Sequence, residues 1–281
     1  MNKRLIIGGL IAICLCGLMC ILDILPYVDF YFNETVLAKI IRNRNAWYSK
    51  TDIIAHAGGN YYGLDHTNSK EALEDFINRT TDSKIRVVEL DFDLTSDEKL
   101  VCSHLYSDKG FRYVPTYDEY MSYNEVGFTT MDFSDVLYYM SLYKNLYIMV
   151  DTKVENHTDK TVVDLAKYII NNSPKSLKDR FIFQLYEPRQ KEEMLNFYKF
   201  KDENLVLSIY KSRIGINETL REAYEYNYTA ILFYKRYFND EDLQRLVNKN
   251  FVTIVYTVNS ENEKNMLKDK GISMIITDNL P

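Results

Sequence analysis

The sequence predicts an α/β fold, a (β/α)8 TIM barrel preceded by one N-terminal transmembrane helix. Four observations carry this. Eight short apolar runs alternate with seven helix-like segments from about residue 51 onward. Most of these runs are continuously apolar, as strands covered on both faces must be. Some 230 residues for eight such units suit a closed barrel better than an open doubly wound sheet. Finally, eighteen residues from Leu5 to Leu22 contain no charge.

The division expected is an anchor over 1–28, a juxtamembrane linker or helix over 29–50, and the barrel over 51–281. The apolar run is at the short end for a membrane span and longer than most signal-peptide cores. Leu22, Asp23, Ile24 and Leu25 lack a small-x-small cleavage pattern, and Met19 before Cys20 makes a poor lipobox, so the run reads as an uncleaved signal anchor. Lys3 and Arg4 precede it, whereas the first sixteen residues after it carry no Lys or Arg, which places the main domain outside the cytoplasm. Glu34 to Lys50 is amphipathic and is either a linker or a cover for the position of an eighth helix, since the chain ends directly after the eighth apolar run.

The strand candidates are DIIAHAG, RVVELDF, LYIMVD, FIFQL, LVLSIY, AILFY, FVTIVYTV and SMIITD. Helix-like segments begin near Asn68, Asp132, Thr158, Glu187, Asn217, Asn239 and Ser260, and many of these residues can cap a helix. Asn68 with Glu71 three positions on predicts a capping box. LVCSH at 100–104 is expected as an extension after the second strand, and the Tyr-rich residues 105–131 as an insertion over the barrel mouth.

Composition limits the function. The chain has 281 residues and a formal charge of −6, which argues against a nucleic-acid partner, since such proteins present a basic face. Three of four cysteines fall in the apolar run, leaving Cys102 alone in the domain, so no intradomain disulfide is possible. This fits a bacterial cell-surface setting. The 24 tyrosines are packing residues with a wet tip, or line a sugar-bearing site.

Barrel enzymes place their chemistry at the carboxyl ends of the strands. Those ends carry His56, Glu89 with Asp91, His104, Asp151 with Lys153, and Asp278. In VVELDFDLTSDEKLVCSH, Glu89, Asp91 and Asp93 share one face of a strand and repel one another. Three carboxylates converging from two neighbouring strands form a hard-oxygen site for Ca²⁺ or Mg²⁺. Two histidines beside a phosphate can divide the proton transfers. These residue types together suggest metal-assisted phosphodiester cleavage.

The runs AHAGG, TNSKEAL and VVELDFDLTSDEKLVCSH, with the ending GISMIITDNLP, resemble the glycerophosphodiester phosphodiesterase signature. The resemblance spans 53–281 and is strongest over 53–104. It implies His56 and His104 as the acid/base pair, Glu89 and Asp91 as metal ligands, and Asp151 at the position of the third ligand. Asp151 and Lys153 form an Asp-x-Lys similar to that of the sphingomyelinase D and phospholipase D toxins, which implies a phosphate contact at Lys153. Asn68 is retained from the family's turn as a substrate-side residue. Three positions depart: the opening Arg is Ala57, the turn's Glu is Thr67, and the Asp after the second His is Leu105. Asp93 falls where the family varies, and a hydrogen-bonding or structural role is expected of it.

The function expected is a membrane-anchored, metal-dependent phosphodiesterase acting on a glycerophosphodiester or a related phospholipid or teichoic-acid-type polymer. The alternatives are a barrel that binds a phosphoryl ligand without turnover, a lyase-type phospholipase that releases a cyclic phosphate, and a scaffold for surface-polymer synthesis.

Overall fold

A computed structural model describes residues 46–80, 85–125, 127–209, 216–249 and 251–279. The expected anchor over 1–28 and most of the expected linker lie outside these residues. Among the described residues no helix is long and apolar enough to cross a membrane. The chain divides into two units at Ser49/Lys50. The first contributes only a 3₁₀ turn, Trp47–Ser49, to the described part.

In the second unit eight parallel strands close on themselves: β1 (Ile53–Ala55), β2 (Arg86–Leu94), β6 (Leu146–Thr152), β7 (Phe181–Leu185), β8 (Leu205–Ile209), β9 (Ala230–Tyr234), β10 (Val252–Tyr256) and β11 (Met274–Thr277). Closure is made by β1, which pairs with β11 through Ile53 and Ile275 and with β2 through Ile54 and Val87. β3 (Leu100–Cys102) folds back antiparallel on β2, as expected of an extension.

Seven helices alternate with the barrel strands: α1 (Lys70–Arg79), α3 (Phe133–Leu142), α4 (Val162–Asn172), α6 (Gln190–Phe197), α7 (Ile216–Glu225), α8 (Asp240–Asn248) and α9 (Glu261–Asp269). Two short ones, α2 (Tyr117–Met121) and α5 (Lys175–Lys178), are additional. Strand and helix side chains such as Leu90, Phe92, Phe133, Val150, Phe183 and Ile169 form one buried core between barrel and helices. Every residue of β2 is buried, which explains why its apolar face reads as an uninterrupted set at alternate positions.

Helix starts follow local chemistry. Asp132 with Asp135 and Asn239 with Asp242 form reciprocal caps at the expected places. The helix expected from Thr158 begins at Val162, because Thr161 makes the cap with Asp164. The expected capping box at Asn68 and Glu71 does not form. Ser69 caps α1 by accepting from the Ala72 N–H, and Glu71 turns outward to bind Thr129 through its N–H and hydroxyl. Asn68 is taken by a longer-range partner, described below.

The insertion 105–131 packs with β3 into a small separate core, in which Tyr106, Tyr120 and Val101 of β3 are buried with Phe111, Val114, Tyr117 and Met121 packed against them. A two-stranded ribbon, β4 (Asn124–Glu125) and β5 (Phe128–Thr129), completes it. Tyr106 and Tyr120 are thus packing residues.

Candidate active site at the barrel mouth

A cavity of about 770 Å³ opens at the carboxyl ends of the strands. His56, Glu89, Asp91, His104, Asp151 and Lys153 all line it, so six of the seven expected site residues meet there from four chain segments.

The acidic cluster follows from strand register. β2 and β6 run parallel with Asp91 directly opposite Asp151, and same-row residues of neighbouring strands point to one face. Glu89 lies two positions earlier on β2 and shares that face. Ligand oxygens of Glu89, Asp91 and Asp151 lie within 4.8 Å of one another. Asp93 stays out of this cluster. Its Oδ1 accepts the Leu94 N–H at 2.8 Å and lies 3.3 Å from His157 Nε2, the structural role expected of it. Burial, aided by Asp91, raises Asp93 to about 7.

Each carboxylate is held. Glu89 Oε2 accepts the Ala57 N–H at 2.8 Å. Asp91 accepts from Asn68 Nδ2 at 2.8 Å, and the Asp91 N–H donates to Asn68 Oδ1 at 3.0 Å. Asn68 is fully buried and is not part of the cavity wall, so both ends of its amide serve Asp91. The structure places the side chain of Asn68, a residue expected on the substrate side, against Asp91, at a left-handed backbone position (φ 48°). Asp151 accepts a hydrogen bond from the Tyr186 hydroxyl. Burial and Asp151 push that phenol up, so it stays a donor. Lys153 Nζ bridges Asp151 Oδ2 at 2.8 Å and Asp91 Oδ1 at 3.0 Å.

The electrostatics reflect a crowded anionic site. Burial and the neighbouring Asp91 raise Glu89 to about 8. Burial would raise Asp91 too, but Lys153, His104 and the Asn68 hydrogen bond outweigh it and hold Asp91 at about 2. Three converging hard-oxygen donors, one of them driven toward protonation by its neighbours, fit a divalent cation.

Two histidines stand at either side, each with an oriented ring. His56 Nδ1 is 2.6 Å from Asp278 Oδ1, and Asp278 is fixed in turn by Asn259, whose amide donates to Oδ2 and accepts the Asp278 N–H. Burial alone would lower His56. The Asp278 hydrogen bond and the charges of Glu89, Asp278 and Asp91 instead raise it to about 9. His104 Nδ1 lies 2.9 Å from Asp108 Oδ2. β3 brings it to the mouth, its exit fixed by the Ser103 N–H donating to the Asp91 carbonyl.

No family model matches the chain, and no curated protein matches it. Solved structures do. A glycerophosphodiester phosphodiesterase from Parabacteroides distasonis superposes with a TM-score of 0.62 at 17% identity, over 82% of this chain and 93% of that one. The enzyme from Thermotoga maritima gives 0.58 at 20% identity, over 81% and 94%. A phosphodiesterase from Oleispira antarctica, in complex with the product sn-glycerol-3-phosphate, gives 0.62 at 16% identity, over 83% and 95%. The fold is that of the glycerophosphodiester phosphodiesterases.

Within this glycerophosphodiester phosphodiesterase fold, the three departures have local answers. Ala57 offers its backbone N–H to Glu89. The Thr67 hydroxyl is 3.0 Å from that of Ser69, the cap of α1. Leu105 replaces an Asp, but Asp108 holds His104 from four residues further on.

Sequence reasoning passed over His66, Tyr186, Asn259 and Asp108, and gave Asp278 no role beyond its place at the rim. His66 also lines the cavity, with its ring centroid 4.6 Å from that of His56 and 4.9 Å from that of His104. The available signal was a third histidine one residue before the turn's Thr67–Asn68.

Proposed function

We propose that the protein is a metal-dependent phosphodiesterase that cleaves a glycerophosphodiester or a related phospholipid or teichoic-acid-type polymer, anchored by its N-terminal segment with the barrel outside the cytoplasm. The observation that carries the reading is the cluster of Glu89, Asp91 and Asp151 flanked by two oriented histidines. The fold shared with phosphodiesterases, one of them holding sn-glycerol-3-phosphate, supports the substrate class. The apolar run from Leu5 to Leu22 supports the anchor.

Glu89, Asp91 and Asp151 are the residues that would hold Ca²⁺ or Mg²⁺. Such a cation neutralises phosphoryl charge and polarises phosphorus for attack. His104, its Nδ1 engaged by Asp108, presents Nε2 to accept the proton of the attacking hydroxyl, from the substrate itself or from water. His56, charged near neutrality and with Nδ1 on Asp278, presents Nε2–H to the leaving oxygen. As the phosphorus–oxygen bond to the leaving alcohol breaks, that oxygen takes the proton from His56. Lys153 steadies the phosphoryl group from the β6 side.

The assay uses full-length protein in detergent, glycerophosphodiesters, and Mg²⁺ or Ca²⁺ in turn. Metal-dependent release of alcohol, lost in His56→Ala, is the expected result, and its absence from every diester tested overturns the reading. Phosphorus NMR of the products separates an open monoester from a cyclic phosphate. One feature favours a second reading, a phosphoryl-binding barrel without turnover: Lys153 already bridges Asp91 and Asp151. That reading requires phosphate binding with no hydrolysis.

A further inference from the structure

Of the four histidines, three have a ring nitrogen committed within the protein: His56 to Asp278, His104 to Asp108, and His157 to the Leu94 carbonyl. Among the described residues His66 has ring contacts only, to His56 and His104. Among the described residues its two nitrogens have no hydrogen-bond partner, although the imidazole lines the cavity.

The position of His66 is built. Its backbone is left-handed (φ 58°), a conformation unfavourable for a residue with a Cβ, and both flanks are tied down. On one side Asn60 Nδ2 donates to Asp65 Oδ1 at 2.6 Å, and the Asn60 N–H donates to the Asp278 carbonyl. On the other, the Asn68 N–H donates to the Ala57 carbonyl and the Asn68 amide clasps Asp91. Lys109 Nζ reaches the intervening Thr67 carbonyl at 3.3 Å. The anchors leave the ring standing between the two oriented histidines, edge-on to His56 at 80°.

An anionic phosphoryl group entering here needs donors. Lys153 is the one Lys or Arg among the described lining residues, and two carboxylates already hold it. The position after His56, where the resemblance implies an Arg, is a methyl group. His66 supplies an uncommitted N–H on that side of the mouth.

We propose that His66 is a phosphoryl-oxygen-binding residue, donating from a ring nitrogen to a non-bridging oxygen of the substrate and of the phosphomonoester product. This rests on the phosphodiesterase reading for its setting, but binding tests it without turnover.

The experiment is calorimetric titration of the full-length protein with sn-glycerol 3-phosphate and with inorganic phosphate, in Mg²⁺, alongside kcat/KM. His66→Phe keeps an aromatic ring against His56 and His104 but has no donor. His66→Gln and His66→Arg keep a donor. His66→Phe is expected to weaken phosphate binding about 10- to 100-fold, the range for a hydrogen bond to a charged group. The Gln and Arg variants are expected to stay within about fivefold of wild type, with all thermal midpoints similar. Unchanged phosphate affinity in His66→Phe overturns the proposal, as does an equal loss in all three variants, which marks a structural ring. Wild-type hydrolysis with a fully competent His66→Phe sinks this proposal and leaves the function standing. His66-dependent phosphate binding without hydrolysis of any diester does the reverse. A wild type that binds neither ligand overturns both.

Discussion

Asp278→Asn tests whether His56 works as an acid. The substitution keeps the shape of the side chain and its partner Asn259 but replaces the carboxylate that His56 Nδ1 meets at 2.6 Å. His56 is held at about 9 against an ordinary 6.5, and the Asp278 hydrogen bond is the largest contribution in that direction, opposed by burial. The distance from 6.5 to 9 corresponds to roughly 3 kcal/mol of preference for the charged ring. Without the carboxylate, only the charges of Glu89 and Asp91 oppose burial, and His56 falls toward its ordinary 6.5. At pH 8 a ring at 9 is about 90% charged and one at 6.5 about 3%. Activity that requires the imidazolium falls by up to about 30-fold at pH 8, with little change at pH 5.5, where both rings carry the proton.

The assay is kcat/KM across pH 5 to 10 with saturating metal. The basic limb of the profile should move to lower pH in Asp278→Asn while the acidic limb stays. Thermal unfolding gives an independent readout. Because folding raises His56, its stabilisation is complete below about pH 6.5 and is lost as pH rises through 9. The stability difference between wild type and variant should therefore be largest in acid and shrink toward pH 10. A basic limb that does not move, or a difference that grows with pH, refutes the assignment of His56 as acid.

Glu89→Gln removes one charged ligand. It should weaken Mg²⁺ or Ca²⁺ binding by calorimetry about 10²-fold or more. It should also stabilise the metal-free protein above pH 8, since the cost of ionising Glu89 builds as pH rises from about 4.5 through 8. Asn68→Ala strips Asp91 of two buried hydrogen bonds and should cost about 2–4 kcal/mol in denaturant unfolding. Asp93→Asn should leave stability unchanged near pH 4 and raise it at pH 8, because burial makes the ionised Asp93 unfavourable as pH rises through about 7. Glu98 sits at φ 59° in the Thr95–Lys99 turn. Glu98→Gly should gain about 1 kcal/mol and 2–4 °C in Tm, since the Lys160 pair it forfeits is exposed.

The eight strands were legible because a strand covered on both faces must be apolar throughout, and the chain writes AILFY, FIFQL and LYIMV with few interruptions. Glu89, Asp91, Asp151 and the two rim histidines were legible for the same reason: polar residues at the ends of such runs have nowhere to go but the barrel mouth. What lay hidden was the loop from His56 to Ser69. Its course depends on left-handed Ala57, Tyr62, His66 and Asn68, residue types that do not advertise that conformation as glycine does. The Asn68–Asp91 clasp spans 23 residues, whereas the expected capping box required only a separation of three. Local spacing could suggest the wrong partner because no local rule contains the right one.

The same loop explains why a site can lose side chains and keep its geometry. The carboxylates in β2 and β6 are set by strand register, which depends on backbone pairing along seven consecutive rows from Arg86–Leu146 to Phe92–Thr152. That register is indifferent to the side chain at 57 or 105. What must be supplied locally is restraint: an N–H for Glu89, an amide for Asp91, a carboxylate for each histidine. Backbone or nearby residues can provide these without occupying a particular motif position. Ala57 does so through its N–H, which any non-proline residue has, and Asp108 does so from the next turn of chain. Motif identity is therefore a weak measure of site integrity in this barrel. A side-chain phosphate contact is the exception, and the resemblance implies that the change at Ala57 removes one. Compensation for that loss calls for another donor reaching the mouth, which is the role proposed above for His66.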